Sequence, residues 1–170
     1  MMPTWDVVLV VFFAASLVYG FLLGKDKIMV TMLGAYVGLV IANQWGAQAF
    51  NWLSGQSGVL NTGWMHGSLS IFIVKTSLFA IVLLIVALKG GWLTRAPGGG
   101  GPFGMVAPLV YSVLNAALIS SSVLEFLPEE TLKQVIEKSV IAGPLAAHYA
   151  WWLILPVFFI LVFGWFSREP

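Results

Sequence analysis

The sequence predicts an all-α polytopic membrane bundle with four or five transmembrane helices and a short interfacial amphipathic helix. Three observations carry that prediction. Of the 170 residues, 59% are apolar and only 9% are charged, whereas a soluble domain carries about a quarter charged residues. The mean hydropathy is +0.95. The apolar residues also gather into five segments, 5–23, 28–52, 69–88, 105–127 and 145–166, of 19, 25, 20, 23 and 22 residues. A spanning helix needs roughly 20 residues, at about 1.5 Å of rise each. The chain reads as a single integral membrane domain, 1–170, whose first partner is the lipid bilayer.

The first segment opens at Trp5-Asp6, and residues 1–6 contain no basic residue. A cleavable signal needs a basic start and a small-residue cleavage site, so this segment is expected to be retained. A tight turn with Lys25 and Lys27 follows. The second segment is densely apolar only over 28–42. Asn43, Gln44, Gln48 and Asn51 come next, with Trp45 and Trp52 among them, so its outer third is expected to be interfacial or packed against protein. Gly20 and Gly24 form a small-xxx-small pair, and Gly34, Gly38, Ala42 and Gly46 recur every four residues. Such spacing lets a second backbone approach closely. It implies either a packing seam within the chain or a face that lines a pore or joins copies.

Segments three and four are joined by a linker containing Arg95-Ala96-Pro97, four glycines and Pro102. No Lys-Ser/Thr follows the glycines, so a phosphate loop is not expected. The fourth segment is the most polar: Ser112, Asn115 and Ser122 share roughly one helical face with Tyr111 nearby, and Ser120 and Ser121 widen it. Such groups line a hydrated path or bond neighbouring helices. Pro108 and Pro156 are expected to bend the fourth and fifth segments. From Pro128-Glu129-Glu130, an amphipathic helix over about 128–142 is predicted, with Leu132, Val135, Ile136 and Val140 on one side and Gly143-Pro144 as its stop.

Lys25, Lys27, Lys89, Arg95 and Arg168 fall on one side of a five-span topology, against Lys133 and Lys138 on the other. The positive-inside rule then puts the amino terminus outside and the carboxyl terminus in the cytoplasm. Trp5, Trp52, Trp64, Trp92 and Trp165 fall at segment ends, as an aromatic belt requires.

Four ionisable residues, Asp6, Lys75, Glu125 and His148, fall in one leaflet whichever way the chain is oriented. Ionisable groups at membrane depth are costly and call for a partner or a watery vestibule, which makes Lys75 with Glu125 a candidate ion pair. Each also has a plain structural role: Lys75 can snorkel, Asp6 suits a helix start, Glu125 can reach the headgroups, and His148 can pack neutral. Catalysis is not expected. There is no cysteine and there are only two histidines, His66 and His148, so no metal centre or other cofactor is predicted. A net charge of +1 supplies no field to attract nucleic acid.

The layout resembles the colicin V production protein (CvpA) family of bacterial inner-membrane proteins. The residues that carry the likeness are Trp5-Asp6, the stretch 17–24 with the basic turn at Lys25, the glycine-bearing second segment, and Lys138-Ser139 followed by 140–152. Family members typically have Arg-Gly after the first helix, where this chain has Gly24-Lys25. Their fourth helix is introduced by a charged, glycine-spaced pattern, here replaced by the glycine linker and Gly104. The resemblance implies an inner-membrane protein with a role in envelope function or toxin production and no catalytic residues. Association with itself or with another membrane protein is expected through the glycine stripe. A small channel or transporter beside the fourth segment, or an accessory subunit of a membrane complex, are the alternatives.

Overall fold

The computed structural model describes residues 5–55, 70–89 and 106–166. These residues form six helices: α1 (Trp5–Gly55), α2 (Ile71–Lys89), α3 (Val106–Glu125), α4 (Glu129–Lys138), α5 (Ala142–Ala147) and α6 (Tyr149–Phe166). By length and composition α1, α2 and α3 are apolar enough to cross a membrane. The predicted linker, Trp64, His66, Trp92, Arg95, Gly104 and Arg168 lie outside the described residues, as does the side chain of Trp165.

α1 is two limbs joined at Gly24, whose backbone turns with φ 79° and ψ 172°. That region is open almost only to glycine, because a Cβ would crowd the neighbouring peptide. The limbs fold back on one another. Tyr19 and Thr31, placed about evenly on either side of the turn, share a hydroxyl hydrogen bond of 3.3 Å, and the Thr31 hydroxyl is 2.9 Å from the Lys27 carbonyl. Gly24 itself has nothing within 4 Å of where a Cβ would stand. Its pairing with Gly20 as a packing contact is therefore corrected: Gly24 makes the turn, and only Gly20 packs.

Most of α3 is buried, whereas α1, α2 and α6 expose long apolar rows. The second limb of α1 lies against α3 through Ile28, Met32, Ala35 and Leu39, which share one core with Ala107, Tyr111, Leu114 and Leu118. Leu9 of the first limb joins a second core with Ala117, Leu124, Val135, Ala142 and Leu145. The exposed apolar residues include Phe21, Leu22, Ile81, Leu84, Leu88, Trp151 and Leu161. Outward apolar rows of this kind have no use for water, and a hydrocarbon solvent meets them without penalty.

Two boundaries differ from the sequence pattern. The amphipathic helix ends at Lys138, because Ser139 is extended (φ −129°, ψ 121°) and is engaged by side-chain hydrogen bonds described below. The fifth apolar segment is broken at His148 into α5 and α6. The His148 N–H bonds the Pro144 carbonyl at 3.2 Å, and His148's own carbonyl starts α6 by accepting from Trp151 and Trp152.

Candidate functional site

Asp6 stands in the first turn of α1, where an acid suits the positive end of the helix. Its Oδ1 accepts the Ser139 hydroxyl at 2.6 Å and the Ile141 N–H at 3.2 Å. The same serine oxygen accepts the Ala142 N–H at 3.0 Å. The carboxylate thus ties the start of α1 to the α4–α5 junction, and Asp6 and Ser139 each satisfy one backbone donor where the helices are interrupted. Asp6 works as a clamp. Ser139, sequestered beneath it, is the partner that sequence spacing does not reveal.

The glycine stripe faces α2. A Cβ on Gly34 would stand 2.6 Å from Val86, one on Gly38 would stand 3.0 Å from the Phe79 ring, and one on Gly46 would stand 2.5 Å from Lys75 Cγ. Ala42 is fully buried along the same row. Position rises along one helix as it falls along the other, so the two pack antiparallel with backbone close to backbone. Gly20 packs on another partner: its face meets the Ser112 side chain and Ile28.

Lys75 and Glu125 do not pair. The Lys75 ammonium stands 5.7 Å from the centroid of the Phe126 ring, the residue next to Glu125 but directed elsewhere. Phe126 is itself set edge-on to Phe79 with centroids 5.9 Å apart. Glu125 is exposed. His148 is also exposed, with Nδ1 3.2 Å from the Pro144 carbonyl. The four ionisable residues therefore serve separate local contacts: Asp6 holds a junction, Lys75 lies on an aromatic ring, and Glu125 and His148 face outward. Among the described residues no group of three His, Asp or Glu is placed to hold a metal.

The polar face of α3 is spent largely on helix bonding. Ser112 donates to Pro108 at 2.7 Å while its carbonyl accepts the Ser16 hydroxyl at 3.0 Å. Ser122 and Ser121 both donate to the Leu118 carbonyl, at 2.7 and 3.1 Å. Asn115 Oδ1, Ser120 Oγ and Thr76 Oγ1 are buried without a hydrogen-bond partner. Sequence reasoning missed a further pair. Tyr36 donates to Leu153 at 2.6 Å and Tyr111 to Phe159 at 3.2 Å, three residues either side of Pro156. A proline inside a helix lacks an N–H, which at Pro156 withdraws the donor from the Trp152 carbonyl; the two tyrosines bond carbonyls on either side of the proline instead. Tyrosines facing a proline-bearing helix were the available signal.

No family model, curated protein or solved structure matches this chain.

Proposed function

We propose that the chain is a CvpA-like integral membrane protein of the bacterial inner membrane, with a non-catalytic role in envelope function or toxin production. The observation that supports this reading is the use made of its polar residues. Asp6, Ser16, Tyr36, Tyr111, Ser112 and Ser122 bond other helices or their own backbone, leaving them to hold a bundle together. On this reading the chain crosses the bilayer five times, with its amino terminus outside, its carboxyl terminus in the cytoplasm and α4 along the outer interface. With the glycine stripe occupied inside the chain, association with a second copy or another membrane protein uses the outward apolar rows.

The mass of the purified particle in mild detergent, with every co-purifying chain identified, tests this. A discrete homo-oligomer or a complex with one membrane protein is expected. A bare monomer that also leaves envelope integrity and toxin export unchanged when deleted overturns it.

The second reading is a small channel with its path beside α3, favoured by the orphaned Asn115 Oδ1 and Ser120 Oγ. Buried polar atoms without partners cost about 1–3 kcal/mol each, a cost that bound water in a path offsets. Liposome flux that Asn115→Leu abolishes would establish that reading, and absence of flux dismisses it.

A further inference from the structure

Carboxamides are placed unevenly over the apolar helices. The first limb of α1, α2 and α6 contain no asparagine or glutamine, and Asn115 of α3 is buried. The second limb of α1 carries Asn43, Gln44 and Gln48, and all three are exposed. Ala35 and Ala42 lie on the opposite side of that limb from Gln44 and are fully buried. Gln44 therefore looks away from the rest of the bundle.

Its depth makes that placement costly. Gly46 abuts the Lys75 stem, four residues inside α2, and Gln44 is a further half-turn inward. At about 1.5 Å of rise per residue, Gln44 stands about 9 Å inside the level where α2 begins. Where α2 spans a bilayer, hydrocarbon at that depth offers a carboxamide no partner. Hydrogen bonding to another polar side chain is what such a group contributes to helix association in lipid.

The row through Gln44 has the spacing of a helix seam. Leu33, Val37, Val40, Gln44 and Ala47 are separated by four, three, four and three residues, and all are exposed. This is the a/d pattern of left-handed helix pairing, with Val37 and Gln44 at a positions and Leu33, Val40 and Ala47 at d positions. Asn43 and Gln48 then flank the seam at g and e. Two copies inserted in the same direction pair about an axis along the bilayer normal, which sets the same helix of each side by side and parallel. Each a residue then meets its own counterpart, and each g residue meets the e residue five positions on. Gln44 thus meets the second copy's Gln44, and Asn43 of each copy meets Gln48 of the other. A carboxamide both donates and accepts, so every one of these meetings is a hydrogen-bonding match. A lysine or glutamate at the same place would oppose its own charge.

We propose that the occupant of this face is a second copy of the chain, packed parallel through Leu33, Val37, Val40, Gln44 and Ala47. The proposal rests on the reading that the chain associates in the membrane, and it names the partner and the surface.

Cysteine scanning in native membranes tests it, because the chain has no cysteine of its own. Val37→Cys, Val40→Cys, Gln44→Cys and Ala47→Cys are each expected to give disulfide-linked dimers on oxidation. Leu22→Cys, Leu84→Cys and Leu161→Cys, exposed on other faces, are expected to give few. Linkage of each position to itself along the limb marks the pair as parallel. In liposomes Gln44→Leu weakens the dimer about fivefold, the scale of one interhelical hydrogen-bonded pair, Gln44→Asn retains most of it, and Leu84→Ala leaves it unchanged. Cross-links that peak at Leu84→Cys or Leu161→Cys overturn this seam and leave self-association standing. A particle that holds a different membrane protein and gives no seam cross-link overturns the second copy as occupant. A monomeric particle without seam cross-links overturns the proposal whatever the envelope phenotype.

Discussion

The carboxylate of Asp6 and the hydroxyl of Ser139 meet at 2.6 Å although 133 residues separate them in the chain. The bond joins the first turn of the first helix to the break that ends the amphipathic helix. One oxygen of Asp6 takes both the hydroxyl and the Ile141 amide, so the junction has one anchor. Asp6→Ala therefore lowers the thermal unfolding midpoint more than Asp6→Asn, whose amide oxygen still accepts. Ser139→Ala falls between them, and Asp6→Ala/Ser139→Ala together cost less than the sum of the singles. Equal midpoints for all variants would remove the clamp.

Gly24 and Gly38 separate two reasons for glycine. Gly24 has open space but a backbone angle closed to other residues, so Gly24→Ala costs about 1–3 kcal/mol through the turn alone. Unfolding in mixed micelles, with the spacing between the two limbs of α1 followed by spin labels, reads it. An unchanged stability would show that the turn tolerates a side chain.

Gly38 has ordinary helical geometry and the Phe79 ring 3.0 Å from where its Cβ would stand. Gly38→Leu is expected to push α2 off α1 and to cost about 1–3 kcal/mol by overpacking. Phe79→Ala in the same chain restores part of that loss by opening the space. Wild-type yield and stability for Gly38→Leu alone would count against the seam.

Lys75 and Phe126 are coupled, and Lys75 and Glu125 are not. A double-mutant cycle of Lys75→Met with Phe126→Leu should give a coupling of about 0.5–2 kcal/mol. The exchange Lys75→Glu/Glu125→Lys should fail to rescue either single change, because a carboxylate at position 75 would face the electron-rich ring. Rescue by the exchange would restore the ion pair that the charges alone proposed.

Tyr36→Phe and Tyr111→Phe each remove one hydroxyl from the α6 backbone near Pro156. Interhelical bonds of this kind in bilayers are worth about 0.6 kcal/mol on average, so each change is small. Faster hydrogen exchange over 153–160 should accompany both, while exchange in α2 stays as it is. Uniform exchange across the bundle would assign the tyrosines a general packing role.

Much of this architecture is legible along the chain. Hydropathy marks the apolar stretches because each residue's transfer into hydrocarbon is its own property. Four-residue spacing marks Gly34, Gly38 and Gly46 as one face because the helix period is local. The turn at Gly24 was visible from the basic residues that follow it, though glycine there reads equally as packing or as conformation, and only the backbone angle separates the two. In the same way Ser112, Asn115 and Ser122 were recognisable as a polar face, but not which of them bonds a neighbour and which is left alone.

Sequence by itself determined the apolar helical class, the approximate extent of the helices and the face on which small residues gather. Tertiary structure decided the partners: Ser139 for Asp6, Phe126 in place of Glu125 for Lys75, α2 for the glycines, and α6 carbonyls for Tyr36 and Tyr111. Helix formation answers to neighbours three and four residues away, which the sequence displays. Pairing answers to how far each helix is rotated and shifted against the next. That rotation is the sum of many small packing terms between segments far apart in the chain, and a turn of a single residue, as between Glu125 and Phe126, redirects a side chain by about 100°.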